Sequence, residues 1–208
     1  MSDHLMNTYA RLPVTFEKGD GATLQDTNGK SYLDAISGIA VCSLGHAHPA
    51  ISEAICEQSH KLIHTSNLYQ IGNQQQLADK LIEHSEMDRV FFCNSGAEAN
   101  ETALKIARKY AHQNNIDNPC VIVMDNSFHG RTLATLSATG NDKVHEGFAP
   151  LVQGFIRVPF DDIDAIKAHS ENKNIVAILV EPVQGEGGVH VPKEGYLRSL
   201  REICNNNN

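Results

Sequence analysis

Phe91-Phe92-Cys93-Asn94-Ser95-Gly96-Ala97-Glu98-Ala99-Asn100-Glu101 carries the signals of a strand, a turn and a helix start in immediate succession. Val90 to Cys93 is a short apolar run and predicts a buried strand. Ser95 and Glu98 have the S-x-x-E spacing of a capping box, in which Ser95 caps the helix and Glu98 bonds back. The helix predicted over 98–110 would bury Ala99, Ala103, Ile106, Ala107 and Tyr110 along one stripe. Glu101 and Lys105 would then sit on its outer face at the i,i+4 spacing of an ion pair.

Downstream, the same rhythm continues. Cys120-Val121-Ile122-Val123-Met124, Phe155-Ile156-Arg157-Val158 and the aliphatic run 175–180 predict three further strands, with a helix over 162–168. Continuous aliphatic strands alternating with helices indicate an α/β fold with a mostly parallel sheet covered on both faces. Upstream, the first forty-odd residues predict short strands joined by turns, with Gly19-Asp20-Gly21 and the hairpin signal Asn28-Gly29 between them. Helices follow over 51–62, with Ile51, Ala54, Ile55 and Leu62 at helical spacing, and over 73–83, with Leu77, Leu81 and Ile82 on one stripe. The last segment, 196–204, predicts an amphipathic helix through Leu197, Leu200 and Ile203. Asn205 to Asn208 follow, read as a tail produced by truncation or artefact, because such a helix normally leads into another strand.

Three places could hold a ligand. At Gly96 and Ala97 the unbonded N–H groups of a helix start, beside a residue with no side chain, form an anion cup; an ordinary capped helix fits the same residues. Asn126-Ser127-Phe128-His129-Gly130-Arg131-Thr132 lies at the carboxyl end of a predicted strand, where open α/β sheets bind ligands. Phe128 could stack on a flat ring and Arg131 could grip a carboxylate, or Phe128 could pack in the core and Arg131 pair at the surface. Glu181-Pro182-Val183-Gln184-Gly185-Glu186-Gly187-Gly188 ends another strand, and a buried Glu181 there calls for a cationic mate. This cluster is not a dinucleotide fingerprint, since it lacks G-x-G-x-x-G.

Composition narrows the function. With 17 Lys+Arg against 25 Asp+Glu, the net charge of −8 argues against a nucleic-acid groove. No apolar run approaches the roughly 18 residues of a membrane span, and Met1-Ser2-Asp3-His4 is unlike a secretory signal. The five cysteines, widely spaced and without C-x-x-C, read as reduced buried thiols in the cytoplasm. His46, His48, His60 and His64 lack the companions of a metal site.

These segments together resemble the N-terminal half of a class III, pyridoxal-phosphate-dependent aminotransferase, most of all its acetylornithine branch. The resemblance rests on Tyr32-Leu33-Asp34, Gly38-Ile39-Ala40-Val41, Leu44-Gly45-His46 with His48-Pro49, Asn94 to Glu101, Phe128 to Arg131, and Glu181-Pro182 with Gln184 to Gly188. It implies a fold-type I architecture, with residues 1–48 contributing to a small α/β domain and 49–204 forming an incomplete large domain of a seven-stranded type. It implies pyridoxal 5′-phosphate as cofactor, a homodimer, and transamination of N-acetylornithine with 2-oxoglutarate in arginine biosynthesis. Succinyl-diaminopimelate, ornithine or another ω-amino acid is the alternative donor, and a non-catalytic half-domain binding a phosphate ligand or a partner is the alternative of another class. By resemblance, Gly96 and Ala97 hold the cofactor phosphate, Phe128 stacks on its ring, Arg131 binds the substrate carboxylate, and Glu181 pairs with an arginine. The family's Schiff-base Lys and its pyridine-nitrogen Asp are expected beyond residue 208, so this chain is expected to carry no catalytic residue and to be an inactive fragment alone.

Overall fold

The computed structural model describes residues 4–207; Met1 to Asp3, which carry most of the signal-segment reading, and Asn208, the last residue of the Asn tail, lie outside the described residues. Two compact units divide at Asp88 and Arg89.

The first unit begins with an antiparallel meander, β1 (Phe16–Asp20), β2 (Thr23–Asp26) and β3 (Ser31–Leu33). Asp26, buried in it, closes the β2–β3 turn. Its Oδ1 accepts from the Asn28 and Lys30 amides at 2.9 Å each, and its Oδ2 accepts from the Tyr32 hydroxyl at 3.0 Å. Asp34 then holds the next segment: Oδ1 accepts from the amides of Ile36 and Ser37, and Oδ2 meets His46 Nε2 at 2.6 Å. The His46 ring first, and those two amides next, hold the Asp34 carboxyl below the ordinary carboxylate range. Between these anchors lies α1 (Ser37–Ala40), a single turn with Ser37, Gly38, Ile39 and Ala40 all at positive φ. Helices α2 (Pro49–Lys61) and α3 (Gly72–Glu83) follow, as the apolar spacing predicts, with Pro49 at the first turn of α2, where its missing N–H is no loss.

The second unit is built on a parallel sheet in the order β5-β4-β6, from β4 (Cys120–Met124), β5 (Phe155–Val158) and β6 (Ile175–Leu179). The described residues thus supply three parallel strands of the type expected. The central strand shows why a continuous aliphatic run suits it: side chains alternate between two cores. Ile122 and Met124 face Val158, Ile166, Tyr196 and Leu200, while Val121 and Val123 face Leu104, Ala107 and Ala138. Helices α6 (Ile163–Lys167) and α7 (Tyr196–Asn206) cover the first face; α4 (Gly96–Gln113) and α5 (Leu133–Ala138) cover the second.

Four expectations are corrected. Val90 to Cys93 joins no ladder: none of the described strands lies beside it, and Phe91 is 69% exposed. The buried stripe of α4 is Leu104, Ala107 and Ala111, whereas Ile106 and Tyr110 face outward, because the helix starts two residues earlier and its leucine sets the inner face. Helix α7 runs past Cys204 through Asn206, and Asn207 bonds back to the Ile203 carbonyl at 2.8 Å. The cysteines are free thiols but not buried; Cys56 and Cys93 are exposed, and Cys42, Cys120 and Cys204 are intermediate. The short α5, with Thr135, Leu136, Ser137 and Ala138 buried, is absent from the sequence reading, since six residues rich in hydroxyls show no apolar period.

Candidate active site

The capping box forms, with one change. Ser95 Oγ accepts from the Glu98 amide at 3.2 Å, but Glu98 reaches past Ser95 to the Asn94 amide at 2.7 Å and the Asn94 side-chain amide at 3.2 Å. Those bonds, the Asn94 side chain first, hold the Glu98 carboxyl below its ordinary range. The amides of Gly96 and Ala97 are left without an acceptor among the described residues. The space beside Gly96 is open, because a Cβ built there would meet nothing within 4 Å. Two unused N–H groups at the positive end of an eighteen-residue helix, beside open space, can hold a phosphate dianion.

The loop after β4 packs directly against this helix start. Gly130 is at φ 135°, and a Cβ there would come within 2.6 Å of Thr135 Oγ1 and 2.9 Å of Ala97 Cβ, so only glycine permits the approach. Asn100 Nδ2 donates to the His129 carbonyl at 2.8 Å. Phe128 is half-buried, and the exposed Arg131 lays its guanidinium 5.7 Å from the Phe128 ring centroid. Arg131 makes no ion pair among the described residues.

Glu181, just past β6, reaches the same loop. Its Oε1 accepts from the Phe128 amide at 2.7 Å and its Oε2 from the Gly185 amide at 3.4 Å. The cationic mate expected for Glu181 is absent among the described residues; partial exposure and two N–H donors satisfy the carboxylate instead. Gln184, fully buried, ties the segment down by donating to the Asp125 carbonyl at 2.7 Å. Gly96, Ala97, Phe128, Arg131 and Glu181 are therefore gathered beside the carboxyl ends of β4 and β6, the end of an open α/β sheet where ligands bind.

Two residues here carry more than their sequence signals showed. Glu101, expected on the outer face of α4, is half-buried and accepts from the Thr132 hydroxyl and from the Thr135 amide at 3.4 Å. His129 is 3% exposed, its amide donates to Thr139 Oγ1 at 3.0 Å, and its ring Nε2 is buried without a partner. Burial, then the charge of Arg157, pushes the His129 pKa down to about 4. The folded state thus holds this ring neutral, and protonation favours unfolding. The contribution is complete above the unfolded pKa of 6.5 and is lost as pH falls toward 4. Urea melts should show about 3 kcal/mol less stability across that window. The loss should vanish in His129→Gln, and identical pH profiles for the two proteins would refute it.

The family profile of class III aminotransferases matches residues 5–208. This chain belongs to that family. It is 58% identical over 205 residues to the acetylornithine aminotransferase of Nitrosomonas europaea, covering 98% of this chain and 52% of that protein. The class III fold is seen in solved relatives: the ornithine aminotransferase of Toxoplasma gondii ME49 superposes with a TM-score of 0.94 at 37% identity, covering 98% of this chain and 49% of the other. The N-acetylornithine aminotransferase of Stenotrophomonas maltophilia K279a gives a TM-score of 0.80 at 36% identity, covering 96% and 50%. The chain spans about half the length of the curated relatives it matches. Class III aminotransferases use pyridoxal 5′-phosphate, and the unused amides, the open space beside Gly96 and the half-buried aromatic ring fit such a group.

Proposed function

We propose that this chain forms part of an enzyme that transfers the amino group of N-acetylornithine to 2-oxoglutarate in arginine biosynthesis, acting in the cytoplasm as a homodimer. Identity of 58% to an acetylornithine aminotransferase supports the donor. The observation that carries the chemistry is the pair of unused amides at Gly96 and Ala97, with open space beside Gly96 and bordered by the Phe128 loop. Among the described residues no helix is long and apolar enough to cross a membrane. Residues 1–48 are assigned to the small domain and 49–204 to the large one, and no lysine of this chain is assigned the Schiff-base role.

In this reading the Gly96 and Ala97 amides bind the cofactor phosphate, and the α4 dipole adds to their attraction for the dianion. Phe128 stacks on the ring and fixes its plane, while Glu181 holds the Phe128 backbone in place. Arg131 receives the α-carboxylate of the donor as a bidentate partner. Bound cofactor supplies the electron sink, and these residues supply orientation. The second donor reading is ornithine, favoured by the fold likeness to the Toxoplasma enzyme.

Ligand-observed NMR with pyridoxamine 5′-phosphate and with unphosphorylated pyridoxamine tests the site without any Schiff base. The phosphorylated compound should bind, the other should not, and inorganic phosphate should compete. Equal binding of both compounds, or of neither, would overturn the assignment. Reduced phosphopyridoxyl conjugates of N-acetylornithine and ornithine then rank the donors.

A further inference from the structure

We propose that Asn100 and Glu101, on the second turn of α4, are positioning residues that bracket the Phe128–Arg131 loop against the anion cup. The proposal rests on the functions assigned above to Phe128 and Arg131.

Three contacts carry it. Asn100 Nδ2 donates to the His129 carbonyl at 2.8 Å, so the amide on the carboxyl side of Phe128's neighbour is held from α4. Glu101 Oε1 accepts from the hydroxyl of Thr132, the residue directly after Arg131, and from the Thr135 amide at 3.4 Å. Thr132 is the N-cap residue of α5, yet its hydroxyl makes no cap bond to that helix; it is turned to Glu101, with Thr135 Oγ1 at 2.7 Å. Glu101 is half-buried beside the fully buried Thr135, Thr132 is exposed, and Glu101 forms no ion pair there among the described residues. A carboxylate kept at such a place with neutral donors is spent on geometry, since an exposed pairing with Lys105 one turn away was open to it on the same helix. The cup amides and the bracket share one rigid helix, so the loop is set in register with Gly96 and Ala97.

Amide hydrogen exchange in the 208-residue chain reads this directly. The Phe128 and His129 amides are hydrogen-bonded to Glu181 and Thr139, not to the bracket, so they report a transmitted effect. Removing one bond to a charged acceptor by Glu101→Ala or by Thr132→Val should speed exchange of both amides by about tenfold or more. Glu101→Gln, which keeps an acceptor oxygen, should restore slow exchange, and the Ile122 and Val123 amides of β4 should not change. Asn100→Ala should act in the same direction. Affinity for pyridoxamine 5′-phosphate should fall in step with the exchange rates. Unchanged exchange at Phe128 and His129 in Thr132→Val, which retains the size of the side chain, would overturn the proposal even if Glu101→Ala fails to fold. Phe128→Ala is the separate arm: unchanged affinity there, with fast exchange in Thr132→Val, keeps the bracket and removes the ring-stacking role of Phe128.

Discussion

Gly96→Val should abolish measurable binding of pyridoxamine 5′-phosphate while leaving the melting temperature close to that of the parent sequence. Gly96 is not at positive φ, and a Cβ there meets nothing within 4 Å, so the folded chain accepts the new side chain. Valine is also no worse than glycine as a helix residue. The isopropyl group nevertheless enters the open space beside Gly96. Each hydrogen bond to a charged group is worth about 1.5–3 kcal/mol, so losing two should cost roughly 3–6 kcal/mol of affinity. That corresponds to a loss of about two to four orders of magnitude. Retained affinity in a folded Gly96→Val protein would place the phosphate elsewhere.

Arg131→Ala should separate carboxylate recognition from folding. The comparison is between pyridoxamine 5′-phosphate and its reduced conjugate with N-acetylornithine, which differ by the donor part and its α-carboxylate. In the unsubstituted protein the conjugate should bind more tightly. Truncating one member of a desolvated charge pair costs about 2–5 kcal/mol, so the conjugate should lose roughly thirtyfold or more. Pyridoxamine 5′-phosphate itself should be affected far less. Stability should also hold, because Arg131 is exposed and, among the described residues, forms no ion pair and lies over the Phe128 ring. A large fall in melting temperature with an unchanged conjugate affinity would make Arg131 a structural residue.

The parts of the site that were legible in the sequence are those written in local spacing. Ser95 and Glu98 are three residues apart, and their bond follows from helix geometry alone. The aliphatic runs of β4, β5 and β6 announce a sheet covered on both faces, and both cores are present. What failed was the choice of face on α4. Ala99, Ala103, Ala107 and Ala111 recur at i,i+4, but alanine is small enough for either face and only the last two are buried; Glu101 with Lys105 satisfied a surface pattern that the fold does not use. The actual partner of Glu101, Thr132, is 31 residues away, and no spacing rule connects them. The same holds for Glu181: its place at a strand end called for a cationic mate, whereas two backbone amides, which leave no mark in a sequence, meet the carboxylate among the described residues. Val90 to Cys93 shows the converse, an apolar run that reads as a strand but finds no ladder among the described residues.

The placement of β4 between β5 and β6 also bears on the order in which the site can assemble. Glu98 can close on Asn94 as soon as one helical turn exists. The Phe128 amide must wait for Glu181, 53 residues along the chain, and the Asp125 carbonyl waits for Gln184 across 59. Those closures carry the entropy of long loops and cannot be rewarded until β6 has docked on the far side of β4. The anion cup is thus a product of local folding, and the ring-bearing loop a product of the completed sheet. During refolding the chain would gain an affinity for phosphate before it gains one for a flat aromatic ligand.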